Sequence, residues 1–279
     1  MSRVKVEDAG GDTIWHTEHD GIRYPNFLNI DSFTNIHNLP TRNDDIFICA
    51  YPKSGTHWVS EMVRHLVAGH TNLNSVETIT RVTEYLPQNV TSLPLPRILN
   101  SHDNVKLLPA DIFKKRCKLV YVMRNLKDVT VASYNHTRNT RQCRYQDNWE
   151  NYMEYCVLGK FHYGSWFDHV LEWEYLKKTH PDLPILTLHY EDLQEDPLRE
   201  IRKVNEFLGS CRSTEFLREA IDLARIGNMQ QMKSRSTAYS GGEVGDWKNW
   251  FTEAQNEWFD QLYQEKMADS DIKVRFTLP

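Results

Sequence analysis

FICAYPKSGTHW, Phe47 to Trp58, is the stretch on which the reading of the whole chain turns. Its first four residues are apolar and β-prone, they follow Asp44 and Asp45, and Pro52 closes the run, which predicts a buried strand. From Thr56 to Ala68 the pattern changes. Trp58, Val59, Met62, Val63 and Leu66 recur at helical spacing. Between strand and helix sit Lys53, Ser54, Gly55 and Thr56. A helix N-terminus offers amides with no intrahelical acceptor and the positive end of the helix dipole. Gly55 lets the backbone come close, Ser54 and Thr56 bring hydroxyl donors, and Lys53 brings a mobile point charge. Such a junction is an anion cradle. It is not a Walker A loop, because GxxxxGK[ST] is absent and the lysine precedes the glycine. On this stretch alone, a capped helix with an exposed lysine is the competing reading.

Working outward, RILNSH (97–102) and CKLVYVMRN (117–125) predict two more strands, and DLPILTLHYEDL (182–193) a further one that ends in acids. KDVTVASYNHT, NWENYMEYCVLGKF and YGSWFDHVLEWEYLKKTH carry helical stripes. DPLREIRKVNEFLG is a helix with Pro197 near its start and Gly209 just past its end. Strands alternating with helices predict an α/β fold: a single domain with a mostly parallel central sheet and helices on both faces. Ligands of such sheets bind at the carboxyl ends of the strands. Tyr51–Thr56, His102, Arg124 and Tyr190 all fall at or just after predicted strand ends. Residues 1–20 are polar and are expected to form a flexible N-terminal tail before a domain over 21–279. His16 and His19 in that tail read as solvated rather than metal-binding, and Glu191 and Asp192 read as caps rather than a catalytic pair.

The 279 residues carry a formal net charge of -5, and the lack of basic bias argues against a nucleic-acid partner. No apolar run approaches the ~20 residues of a membrane span. The start, MSRVKVEDAGGDT, has no apolar segment of the signal-peptide kind. Five scattered cysteines without CxxC spacing read as reduced thiols, so the expected location is cytoplasmic.

Three ordered motifs go further. YPKSGTxW is matched in full from Tyr51 to Trp58, RNxKDVxV is matched from Arg124 to Val131, and GDWKxxFTxxxNExFD is matched from Gly245 to Asp260. With YGSWFDHVLEW and YEDLQEDP in the right order, the chain from about Gly21 onward resembles the cytosolic sulfotransferases. That family moves a sulfuryl group from 3′-phosphoadenosine 5′-phosphosulfate (PAPS) to a hydroxyl or amine, and the resemblance implies a P-loop-like phosphosulfate loop. It implies that Lys53 stabilises the bridging oxygen and that the amides around Ser54, Gly55, Thr56 and His57 hold the 5′-phosphate. Trp58 and Tyr190 would contact the adenine, with Arg124 and Gly242 on the 3′-phosphate. His102 closes a segment of the PRxxKTH form, Pro96 to His102, and would be the general base, a role suited to imidazole. PAPS is the co-substrate, no metal is implied, and the partner is a small acceptor: a phenol, steroid, alcohol or amine.

Departures from the family pattern cluster. Asn100 stands where the family has lysine, and Ala132 where it has serine, with Ser133 one position late. One position is a ~100° turn of a helix, so Ser133 is a poor substitute. Ser240-Gly241-Gly242 replaces Arg-Lys-Gly, and the segment from Gly227 to Lys233 lacks the adenine-stacking aromatic, leaving Lys233 and Arg235 as candidate replacements. The stretch from Thr80 to Pro96 is short for the family's gate. Tyr85, Tyr134, Phe161 and Tyr163 are candidates for the acceptor wall, and equally for core. Lys248, Thr252 and Glu257 match the family's dimer segment, but Glu253 replaces valine, which predicts a monomer or weak homodimer. A second function is a nucleotide-binding relative with weak or lost turnover, which retention of Lys53 and His102 disfavours. A nucleotide kinase is disfavoured by the missing Walker order.

Overall fold

The chain opens on a hairpin meander. In the computed structural model, strands β1 (Ser2–Glu7), β2 (Thr13–His19) and β3 (Ile22–Pro25) form an antiparallel sheet in that order. The structure describes residues 2–8, 10–11, 13–26, 36–72, 81–82, 96–139, 145, 148–235 and 242–279. Asp20 and Gly21, both at positive φ, make the two-residue turn between His19 and Ile22, the pairing typical of a type I′ hairpin. The flexible tail expected over residues 1–20 is thereby corrected. His16 is fully buried, shares a hydrogen bond of 2.8 Å between its Nε2 and the Tyr155 hydroxyl, and meets the His162 ring edge-on at 4.8 Å.

The remaining strands are β4 (Ile46–Cys49), β5 (Arg81–Val82), β6 (Ile98–Ser101), β7 (Lys118–Met123) and β8 (Ile185–His189). They form one sheet in the order β5-β6-β4-β7-β8, and every pairing is parallel. β4 is buried along its whole length, as a central strand covered on both faces must be. Its neighbours come from later in the chain on either side, so the loop after β4 lies at the point where the strand order reverses.

The helices are α1 (Thr56–Ala68), α2 (Asp111–Lys114), α3 (Leu126–Asn139), α4 (Trp149–Val157), α5 (Trp166–Thr179), α6 (Tyr190–Glu195), α7 (Pro197–Leu208), α8 (Thr214–Arg235) and α9 (Glu253–Lys266). α1 follows the predicted bounds, and α7 has Asp196 as N-cap and Gly209 in the left-handed region after its last turn. Two compact units result. Leu28–Met123 with Asp182–Thr237 holds the parallel sheet, on which α1 packs against β4 and β6 and α7 against β8. Met1–Phe27, Arg124–Pro181 and Ala238–Pro279 form the other unit, with the antiparallel sheet and an aromatic core. Among the described residues, Cys49, Cys117, Cys156 and Cys211 form no disulfide.

Candidate active site

After β4 the chain turns through Lys53 at φ 69 and Gly55 at φ 95, and α1 begins at Thr56. Left-handed residues thus stand on either side of Ser54. For lysine that conformation is uncommon and costs free energy, so it is held by its surroundings. The first helical bonds of α1 run from Trp58 N and Val59 N to Gly55 O, so the amides of 54–57 precede the helical ladder. No side chain caps that end. Ser54 is fully buried, and its Oγ has no hydrogen-bond partner among the described residues. A buried hydroxyl left unpaired is costly, and an anionic oxygen at the cradle would satisfy it. The start of α1 is thus capped by glycine, with no side-chain oxygen bonded to its amides among the described residues.

Gly55 has a second reason to be glycine. A β-carbon there would stand 2.5 Å from Cδ2 of Tyr190, the first residue of α6, so the tyrosine ring lies directly on the loop. Tyr190 is buried, its hydroxyl accepts from Gln194 Nε2 at 2.7 Å, and its ring stands edge-on to Trp58 at 6.2 Å. Trp58 is itself buried, and its indole Nε1 finds no acceptor among the described residues. The Arg225 guanidinium lies 6.0 Å from the Trp58 ring, a cation–π contact that no motif marks in the sequence. Glu191 and Asp192 occupy the first turn of α6, where carboxylates favour the helix dipole.

His102 follows β6 as Lys53 follows β4. Its Nδ1 donates to Ala50 O at 2.9 Å, so the neutral ring carries its proton on Nδ1 and its lone pair on Nε2. Burial pushes its pKa down to about 4, with the Lys53 charge acting the same way and the Ala50 bond opposing. Asn100, in the lysine position of the family pattern, is buried in β6 and accepts from Ser60 Oγ of α1 at 2.8 Å. A neutral strand-to-helix bond stands where a cation was expected.

In the other unit, Arg124 is buried directly after β7, and its backbone oxygen accepts from Trp166 Nε1 at 3.1 Å. Ala132 is buried, and the Ser133 hydroxyl beside it accepts from Tyr152 at 2.8 Å. Gly242 is half-buried. Ser240, Gly241 and Tyr85 lie outside the described residues, as do the side chains of Lys233 and Arg235. Tyr134, Phe161 and Tyr163 are buried among other aromatic rings of their unit.

The motif residues after Arg124 do what sequence reasoning missed. Lys127 is buried with its ammonium 4.3 Å from the Trp247 ring and 4.8 Å from Phe259, and it donates to Asp260 at 2.6 Å. Asp128 accepts from Gly245 N at 2.9 Å and Trp247 N at 3.1 Å. The second and third matched motifs are thus bonded to each other. Among the described residues no cluster of His, Cys, Asp and Glu is arranged for a metal ion, and no helix is long and apolar enough to cross a membrane.

The sequence profile of the sulfotransferase domain matches residues 43–271, spanning segments of both units. The chain is 35% identical to human Sulfotransferase 1C2 over 272 residues, covering 87% of this chain and 90% of that protein. It is 35% identical to bovine Sulfotransferase 1E1, with 88% and 91% covered. A solved mouse sulfotransferase, SULT7A1, complexed with PAP, matches at a TM-score of 0.77 and 29% identity over 92% of this chain and 96% of that one. Retinol dehydratase complexed with androsterone and PAP shares the fold, at a TM-score of 0.75 and 20% identity over 94% of this chain and 91% of that one.

Proposed function

The chain belongs to the sulfotransferase family, and from that premise we propose that Lys53 and His102 are the two side chains that carry its chemistry. It is an enzyme that transfers a sulfuryl group from PAPS to a small molecule. The donor, when bound, supplies an activated sulfuryl group on a good leaving phosphate. The protein's task is positioning and charge stabilisation, as in phosphoryl transfer. Lys53 places a cation beside the oxygen on which charge builds. The amides of 54–57 and the Ser54 hydroxyl bind the 5′-phosphate. Trp58 and Tyr190 hold the adenine, and Arg124 with Gly242 takes the 3′-phosphate.

His102 takes the acceptor's proton on Nε2. The observation that carries this reading is the bond from His102 Nδ1 to Ala50 O. It fixes the tautomer with the basic nitrogen on Nε2, and it ties the base to the residue from which the Lys53 loop departs. With its pKa lowered to about 4, His102 is neutral near pH 7, with its Nε2 lone pair unprotonated, although it is a weaker base than an ordinary imidazole. The acceptor is a hydroxyl, or amine, of a phenol, steroid or alcohol-sized molecule, and the protein works as a monomer or weak homodimer.

Lys53→Ala and His102→Ala should fail differently. Each loses on the order of 10²-fold or more in turnover, measured as labelled sulfuryl transfer from PAPS to a panel of phenols, steroids, alcohols and amines. Calorimetric titration with 3′,5′-ADP should show weakened binding for Lys53→Ala and little change for His102→Ala. Full turnover of His102→Ala on an alcohol would remove that residue from the mechanism.

A further inference from the structure

Asp128 sits at the start of α3, and one fully buried carboxylate there gathers three donors. Asn125 Nδ2 donates to Oδ2 at 2.7 Å, Gly245 N donates to Oδ2 at 2.9 Å, and Trp247 N donates to Oδ1 at 3.1 Å. Asp128 N in turn donates to Asn125 Oδ1 at 2.9 Å, which closes the helix start directly after Arg124. The Arg124 backbone is held from its other side by the Trp166 indole. Gly245 itself lies at φ 93, a conformation that other residues reach only with strain, so the turn presenting its amide to Asp128 is set by the backbone. The segment leading into that turn begins, among the described residues, at Gly242. Trp247 is also pinned by its indole, which donates to Phe276 O at 2.7 Å.

From this arrangement we infer that Asp128 is the positioning residue of the donor's 3′-phosphate site. It locks the turn bearing Arg124 to the segment bearing Gly242, so that the two arrive as one preformed unit. The inference rests on the assignment of Arg124 and Gly242 to that phosphate. Asp128 touches no ligand; its effect passes through the two elements it joins. Ligand groups held by such a supporting bond bind without first being ordered, so loosening the bond lowers affinity rather than the rate of the bound complex.

The test is the ratio of 3′,5′-ADP to AMP affinity by calorimetry, with PAPS steady-state kinetics alongside. Asp128→Asn keeps the shape but turns an amide donor toward donors. It should lower the ratio about tenfold and raise KM for PAPS, while kcat stays within about threefold. Arg124→Ala is run in parallel. If it collapses the ratio while Asp128→Asn weakens both nucleotides equally, or neither, the inference is overturned and the phosphate assignment stands. An intact ratio in Arg124→Ala overturns the assignment, and the inference with it. A fall in both variants supports the inference. Should Asp128→Asn not fold, Asn125→Ala removes one of the three donors and is read in the same way: a lower ratio supports the inference, an unchanged one defeats it.

Discussion

His102 and Lys53 are coupled electrostatically, and that coupling has a measurable consequence at the level of single residues. The imidazole is a base only when neutral, that is, above its pKa. Because burial and the Lys53 charge bring that pKa to about 4, the acid limb of kcat/KM should fall near pH 4 rather than near the ordinary ~6.5 of histidine. Lys53→Met removes the nearby charge and should move the limb upward, toward but not reaching the ordinary value, because burial remains the larger cause. A limb at the same pH in both proteins would separate the two groups. Gly55 makes a different point at this scale. Its glycine was legible as freedom for close backbone approach, but the neighbour that comes close, the Tyr190 ring, lies far along the chain and could not be read from spacing. Ser133 was legible as misplaced by one helical step; its contact with the Tyr152 hydroxyl, which lies nineteen residues on, was not.

Elements with strong local signals were read directly from the sequence. α1 and α7 announced their bounds through apolar spacing, Pro197 and Gly209, and the buried strands β4 and β7 through uninterrupted apolar runs. The meander β1–β3 was missed because its apolar residues, Val4, Val6, Ile14, Trp15, Ile22 and Tyr24, are interleaved with charged and polar ones and form no uninterrupted run. A local signal was nevertheless present: Asp20-Gly21 is a type I′ turn pair between residues that do face each other. Its consequence is acid sensitivity. His16 has a folded pKa of about 4, lowered by burial first and by the Arg23 charge second, against about 6.5 when exposed. Between these values the unfolded chain binds the extra proton, so stability falls as pH drops from about 6.5 to about 4. The full shift is worth on the order of 3 kcal/mol. His16→Gln keeps a polar group for Tyr155 without titrating. Urea midpoints followed across that pH window should fall less steeply in the variant than in the parent. Parallel slopes would mean that His16 is not held neutral in the folded state.

At the scale of the whole chain, the family's motifs were legible as a sequence of words, while their grammar was not. Arg124, Asp128 and Gly245 belong to two matched motifs, yet nothing in either says that a carboxylate in one receives the backbone amides of the other. The same holds for the Lys127 cation enclosed by Trp247 and Phe259. Assembly of two copies is the remaining level, and there Glu253 carries the argument. Thr252 is the N-cap of α9 and forms a reciprocal capping box with Gln255, which places Glu253 in the first turn; Glu253, Lys248 and Glu257 are all exposed. A carboxylate in that turn stabilises the helix by about 0.3–1 kcal/mol through the dipole. The same carboxylate in a small dimer contact would have to be desolvated without a designated partner, which costs more than the local gain. We therefore expect the parent to be a monomer at nanomolar concentration and a dimer, if formed, only far above it. Glu253→Val should reverse the balance: helix α9 loses a little local stability, while an apolar side chain becomes available to a symmetric contact. Sedimentation velocity over a concentration series measures both. A parent that is already dimeric at nanomolar concentration, or a Glu253→Val protein that dimerises no more tightly than the parent, would show that this segment does not set the oligomeric state.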